Sequence, residues 1–167
     1  MGLMRRSLLP ALLAAASVCA QAQNVPGPTL VGKTMQPAAV DLAQLKGKVV
    51  LLFFWSTDCS VCLDKLPELR RNLDGWRGKD FVIVAVSQDR SMDDLKAYEQ
   101  VLDKVAPPNA QMKIFWRRDA AHRDNFGELP VKSPTTIVID RDGKVAKTIR
   151  GRVPAELWDD IADLVLN

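Results

Sequence analysis

The stretch FFWSTDCSVCLDKLP, Phe53 to Pro67, sets Cys59 and Cys62 two residues apart, just after an apolar run and just before a segment with helical spacing. Two thiols so placed can hold a metal, staple the chain or exchange electrons. A structural zinc site needs about four ligands, and beyond residue 22 the chain offers these two cysteines and one histidine, His122. A disulfide across so short a loop constrains little of the unfolded chain, which argues against a purely structural crosslink. Redox exchange is the chemistry that fits best. Use of the two thiolates as soft ligands for Cu(I), as in a copper chaperone module, stays open as the alternative.

Exchange needs one reactive sulfur and one that resolves. At a helix N-terminus, unpaired backbone N–H groups and the helix dipole stabilise a thiolate. Cys59, the first and more exposed, is expected to attack, and Cys62, one turn further in, to resolve. Residues i and i+3 share a helix face, so the two sulfurs can close a disulfide with little backbone movement.

The elements around the pair follow from apolar patterning. VVLLFFW, Val49 to Trp55, and FVIVAVS, Phe81 to Ser87, read as strands buried on both faces. Between them a helix from about Cys59 to Leu73 carries Val61, Leu66, Leu69 and Leu73 at helical spacing, with a kink expected at Pro67. A second helix starts after Ser91 as N-cap, with Leu95, Tyr98, Leu102 and Val105 as its buried stripe, and ends at Pro107 to Asn109. A short strand at Lys113 to Trp116 and a short helix at Ala120 to Phe126 are expected next. Thr135 to Asp140, the turn Arg141 to Lys144 and VAKTIR then make an antiparallel hairpin. A last helix opens with Pro154 in its first turn and buries Leu157, Ile161, Leu164 and Val165. Asn24 to Gln36 is Pro/Gly punctuated, and residues 23–40 are expected to form an irregular N-terminal arm, followed by a short connector, Asp41 to Lys48. The fold class is α/β, a mixed central sheet flanked by helices in one domain spanning residues 23–167.

The first 22 residues carry Arg5 and Arg6, an apolar run from Leu8 to Val18 and the small-x-small pattern Ala20-Gln21-Ala22. This is the pattern of a secretory signal peptide cleaved after Ala22, and the run is too short for a membrane span. A lipid-attachment site at Cys19 fits poorly with Ala16-Ser17-Val18 before it. Cleavage removes two arginines, so the formal charge falls from +3 by two, to +1. A nearly neutral chain gives no footprint for nucleic acid. A periplasmic location would expose Cys59 and Cys62 to oxidising conditions, so they stay reduced only if something reduces them.

GKVVLLFFWSTDCSVC followed by LPEL, and VKSPTTIVIDRDGKV some seventy residues later, resemble the TlpA/ResA-like branch of the thioredoxin superfamily over nearly all of the chain beyond the leader. The resemblance implies a thioredoxin-like fold and an exported thiol–disulfide oxidoreductase without cofactor. Its partners would be a membrane thiol-electron donor and a client protein with a disulfide or cysteine pair, with the protein itself a monomer. It implies reductive electron flow, toward apocytochrome c or a copper-site subunit; disulfide oxidant or isomerase is the alternative direction. It also implies a cis Ser133–Pro134 bond beside the cysteines, with Trp55 as the aromatic packed near the sulfurs. Three residues depart from the pattern: Asp58 replaces the usual aromatic before the first cysteine, Phe53 a buried carboxylate, and Lys65 a glutamate. Asp58 opposes a Cys59 thiolate electrostatically. Lys65 reads as a solvated helix lysine, His122 as a solvated histidine, and Arg117, Arg118 and Arg123 as a surface cluster.

Overall fold

The computed structural model describes residues 27–35, 39–105, 112–128 and 134–167. In chain order its elements are β1 (Leu30–Lys33), β2 (Ala39–Asp41), a 3-10 turn (Leu42–Leu45), β3 (Val49–Trp55), α1 (Ser60–Gly75), β4 (Phe81–Ser87), α2 (Met92–Val105), β5 (Lys113–Trp116), β6 (Arg123–Asp124), β7 (Thr135–Ile139), β8 (Val145–Arg150) and α3 (Leu157–Leu166).

All seven residues of β3 are buried, because the strand runs through the middle of a five-stranded sheet ordered β5-β4-β3-β7-β8. β3 pairs with β4, and β4 with β5, in parallel, while β7 and β8 run antiparallel. The α/β expectation of a mixed sheet in one thioredoxin-like domain is met. Side chains along β3 alternate between two cores, as the strand period requires. Val49, Leu51, Phe53 and Trp55 face a cluster completed by Leu66 and Leu69 of α1, Leu95 of α2, and Leu157, Ile161 and Val165 of α3. Val50, Leu52 and Phe54 face the other way, onto Leu30, Val40, Leu42 and Phe115.

That second face is covered by a small sheet ordered β2-β1-β6, so residues 30–33 and 39–40, within the arm expected to be irregular over 23–40, are strand. β1 alternates buried and exposed residues, so Leu30 and Gly32 turn inward. A Cβ on Gly32 would lie 3.0 Å from His122 Nδ1 and 3.1 Å from Phe115 Cδ1. Only glycine lets β1 approach so closely.

The helix expected at Ala120 to Phe126 is absent. A turn stands there instead, with Asp119 accepting the Ala121 N–H at 2.7 Å, followed by the two residues of β6 paired to β1. Long-range pairing and the hydrogen bonds gathered by Asp124 outweigh local helix propensity at this point. Ser91 does accept the Asp93 N–H at 3.0 Å, as an N-cap should, but Val105 at the end of α2 is 73% exposed and is not part of the buried stripe. α3 starts at Leu157, with Pro154 in the turn before it. Residues 107–109, the expected end of α2, lie outside the described residues.

Candidate active site

Cys59 is the N-cap of α1 and is joined to Cys62 by a disulfide, with Cα atoms 5.2 Å apart. Its backbone is extended (φ −97°, ψ 96°), the conformation that lets an N-cap side chain fold back over the first turn. The Cys59 sulfur accepts the backbone N–H of Cys62 at 3.2 Å, and its carbonyl accepts those of Cys62 and Leu63, both at 3.0 Å. One of the helix's N-terminal N–H groups, that of Cys62, is thus directed at the sulfur on which negative charge develops when the disulfide is reduced. Cys59 is 6% exposed and Cys62 1%, so the first cysteine is the more accessible of the two, as expected.

Trp55 ends β3 four residues before Cys59, fully buried in the cluster that contains both sulfurs, with its ring centroid 5.0 Å from that of Tyr98. Among the described residues its indole N–H has no hydrogen-bond partner. Phe54 lies opposite Thr135 in the antiparallel register, and the next step brings Pro134 to the sheet end occupied by Trp55. Pro134 is buried, and its carbonyl accepts the Gly151 N–H at 2.7 Å. Ser133, and with it the Ser133–Pro134 peptide bond, lies outside the described residues.

Each family departure now has a location. Phe53 is fully buried on the same face of β3 as Trp55, so the floor below the pair is apolar. Asp58 is exposed and accepts the Ser56 hydroxyl at 2.5 Å. Lys65 is not a solvated lysine: its side chain is 12% exposed and its ammonium sits 2.8 Å from Glu68 Oε2. Glu68 Oε1 accepts the indole N–H of Trp158 at 2.6 Å, which ties the cysteine-bearing helix to α3. Burial of Glu68 would raise its pKa, but the hydrogen bonds from Lys65 and Trp158 and the charges of Lys65 and Arg71 outweigh this and hold it below the usual value.

His122 is also not solvated. It is 7% exposed and meets Asp124 at 2.8 Å through Nε2, on the sheet face away from the cysteines. Arg117 leaves the surface cluster to bind Asp124 through Nε and Nη2, both at 2.7 Å. His122 therefore takes no part in the cysteine site.

One functional candidate escaped sequence reasoning. Asp89, 5% exposed, accepts the Thr57 N–H at 2.9 Å and the Thr57 hydroxyl at 2.7 Å on one oxygen, and the Ser87 hydroxyl at 2.7 Å on the other. The available signal was a polar Ser-Gln-Asp running out of the end of a buried parallel strand, at the sheet end where such folds place their chemistry. Among the described residues, no group of three or more His, Cys, Asp or Glu could hold a metal ion, and no helix is long and apolar enough to cross a membrane.

A redox disulfide capping the helix that follows the central strand of a mixed sheet defines a thioredoxin-like thiol–disulfide oxidoreductase. The chain belongs to the AhpC/TSA family, whose profile matches residues 22–148. It is similar to the thiol-disulfide oxidoreductase ResA of Bacillus thuringiensis subsp. konkukian, 26% identical over 80% of this chain and 72% of the relative. The thiol-disulfide oxidoreductase YkuV of Bacillus subtilis is 31% identical over 72% of this chain and 80% of the relative. In fold it is similar to a thioredoxin-family thiol:disulfide interchange protein of Chlorobium tepidum TLS, with a TM-score of 0.67 at 22% identity, covering 85% of this chain and 96% of that one. The TlpA/ResA-like resemblance and the oxidoreductase activity read from the sequence both stand.

Proposed function

We propose that the protein is a periplasmic reductant of client disulfides, exported by a signal peptide over residues 1–22 and acting through the domain at 23–167. The observation that carries the reading is the Cys62 N–H directed at the Cys59 sulfur, which makes Cys59 the stabilised thiolate and so the attacking atom. The Cys59 thiolate attacks one sulfur of a client disulfide, a mixed disulfide forms and a client thiolate leaves. The Cys62 thiolate then attacks Cys59 Sγ, releasing the second client thiolate and leaving the Cys59–Cys62 disulfide. A membrane dithiol donor then reduces the Cys59–Cys62 disulfide by the same two exchanges and becomes a disulfide itself, its two protons balancing those taken up by the client thiolates.

Two features favour the reducing direction. Asp58 puts a carboxylate next to Cys59, and the Lys65 ammonium is held by Glu68 instead of being free to stabilise Cys62. A less stabilised thiolate gives a disulfide that is harder to reduce, hence a stronger reductant. By the resemblance, the client-binding role falls to Ser133 and Pro134, with a cis bond between them, while Trp55 packs buried in the cluster that holds both sulfurs, and apocytochrome c or a copper-site subunit is the kind of client this branch implies.

Trapping tests the reading. A Cys62→Ser variant, acid-quenched and purified without reductant, retains its client as a mixed disulfide on Cys59, while Cys59→Ser retains none. Capture by Cys59→Ser alone reverses the roles of the sulfurs. Capture by neither, together with stoichiometric Cu(I) binding by the wild type against a strong chelator, replaces exchange with the copper-chaperone reading.

A further inference from the structure

Asp89 lies in the loop after β4, outside the cysteine pair, and yet its hydrogen bonds converge on the segment that delivers Cys59. Both donors of Thr57, two residues before Cys59, end on Asp89 Oδ1. Its other oxygen takes the Ser87 hydroxyl, and its own N–H donates back to Ser87 Oγ at 3.1 Å, so the carboxylate cannot turn away without breaking several bonds. The loop is fixed further by Gln88 N–H to the Trp55 carbonyl at 2.7 Å and by the Trp116 indole N–H to the Asp89 carbonyl at 2.9 Å. β3, β4 and β5 are thereby joined at the sheet end where α1 begins.

We propose that Asp89 is a positioning residue for thiol–disulfide exchange, acting through Thr57 to hold Cys59 at the N-cap of α1. In the oxidised protein the disulfide itself restrains Cys59 relative to Cys62. Once reduced, the Cys59 side chain loses that tether, and the Thr57 anchor joins the Cys62 and Leu63 N–H bonds to the Cys59 carbonyl in keeping its sulfur over the first helical turn. Asp89 thus acts mainly on the reduced state. A buried carboxylate that accepts from a backbone N–H and two hydroxyls is the group suited to this, since each bond to a charged acceptor is stronger than its neutral counterpart.

The inference rests on Cys59 being the attacking sulfur, and the test separates the two. Asp89→Ala, Asp89→Asn and Thr57→Val are compared with the wild type by thiolate absorbance titration, by the rate of reduction of a small disulfide and by thermal unfolding of the oxidised form. Asp89→Ala is expected to titrate Cys59 at higher pH and to react about tenfold more slowly, with Thr57→Val intermediate. Asp89→Asn, which keeps a neutral oxygen facing Thr57, is expected to fall between the wild type and Asp89→Ala in rate. If Asp89→Ala is too unstable to assay, Thr57→Val carries the same expectation alone. A fall in unfolding temperature with titration and rate unchanged reduces Asp89 to a structural role and overturns the proposal. So does a thiolate titrating at lower pH in both Asp89 variants, which would mean that Asp89 acts by its charge. Should selective labelling of the wild type find Cys62 the reactive sulfur, the reading of Cys59 fails first, independently of these shifts.

Discussion

The backbone N–H of Cys62 points at the sulfur of Cys59 across 3.2 Å, and the contact is not returned, because the Cys59 N–H is taken by the Ser56 carbonyl at 3.2 Å. The two thiols, identical in chemistry and both in the apolar cluster, are therefore unequal in place: Cys59 has the Cys62 N–H aimed at it and is 6% exposed, while Cys62 is 1% exposed. Limiting iodoacetamide on the reduced protein at neutral pH is expected to label Cys59 at least about tenfold faster than Cys62, since the thiolate is the reactive form and access adds to the difference. Peptide mapping by mass spectrometry reads the ratio. Equal labelling would mean that the helix terminus does not differentiate the sulfurs.

Glu68 links the helix that begins at the cysteines to the helix that closes the fold. Removing it as Glu68→Ala leaves the Trp158 indole N–H and the poorly exposed Lys65 ammonium without their acceptor. With the carboxylate itself 32% exposed, the loss is expected to be about 1–2 kcal/mol, at the lower end of what a charged hydrogen-bonding pair contributes. Because the folded pKa of Glu68 is lowered, its contribution is complete above the unfolded value and disappears as pH falls through the folded one. The gap between wild type and Glu68→Ala in urea unfolding should hence be widest near pH 7 and close in acid. A gap that widens in acid contradicts the sign. Trp158→Phe in a double-mutant cycle isolates the indole bond, with a coupling of about 1 kcal/mol expected.

The strands that carry the site were legible because each is a run of apolar and β-branched residues long enough to be a strand and nothing else: Val49–Trp55, Phe81–Ser87 and Thr135–Ile139. Cys59 and Cys62 announced themselves by residue type and by the helical spacing that follows. The small sheet was not legible. β1, β2 and β6 have four, three and two residues, and the pairing of Leu30 with Asp124 joins segments from opposite parts of the chain, which no local pattern encodes. The same distance hid His122, whose burial is imposed by Gly32 and Phe115 on one side and Asp124 on the other. Asp89 was missed for a different reason. The positions that pointed to an acid hold Phe53 and Lys65, and the carboxylate that holds Thr57 comes from the loop after the neighbouring strand, 32 residues along the chain.

The cluster of Asp124, His122 and Arg117 separates stability from activity. Asp124 is 5% exposed in its side chain and accepts His122 Nε2, two Arg117 nitrogens and the Phe126 N–H at 3.1 Å. Burial pushes its pKa up, but these bonds and the Arg117 charge overcome that and hold it far below the usual carboxylate range. A depressed folded pKa means stability that is fully present above the unfolded value, near pH 4, and lost progressively in stronger acid. Asp124→Asn leaves Arg117, with 19% of its side chain exposed, facing a neutral amide. The expected cost at pH 7 is about 3 kcal/mol, as for other buried pairs that lose one charge. The unfolding midpoint should fall by roughly 5–10 °C, and the variant should lose less stability than the wild type between about pH 4 and 2. Arg117 packs on Phe54, on the sheet face away from the sulfurs, so the folded variant should reduce a small disulfide within about twofold of the wild-type rate. Circular-dichroism melts across that pH range, with exchange assays at 20 °C where the variant is folded, check both halves. A large rate loss in fully folded Asp124→Asn would show that the small sheet communicates with the cysteines through β3, and that the two faces of the central sheet are not energetically independent.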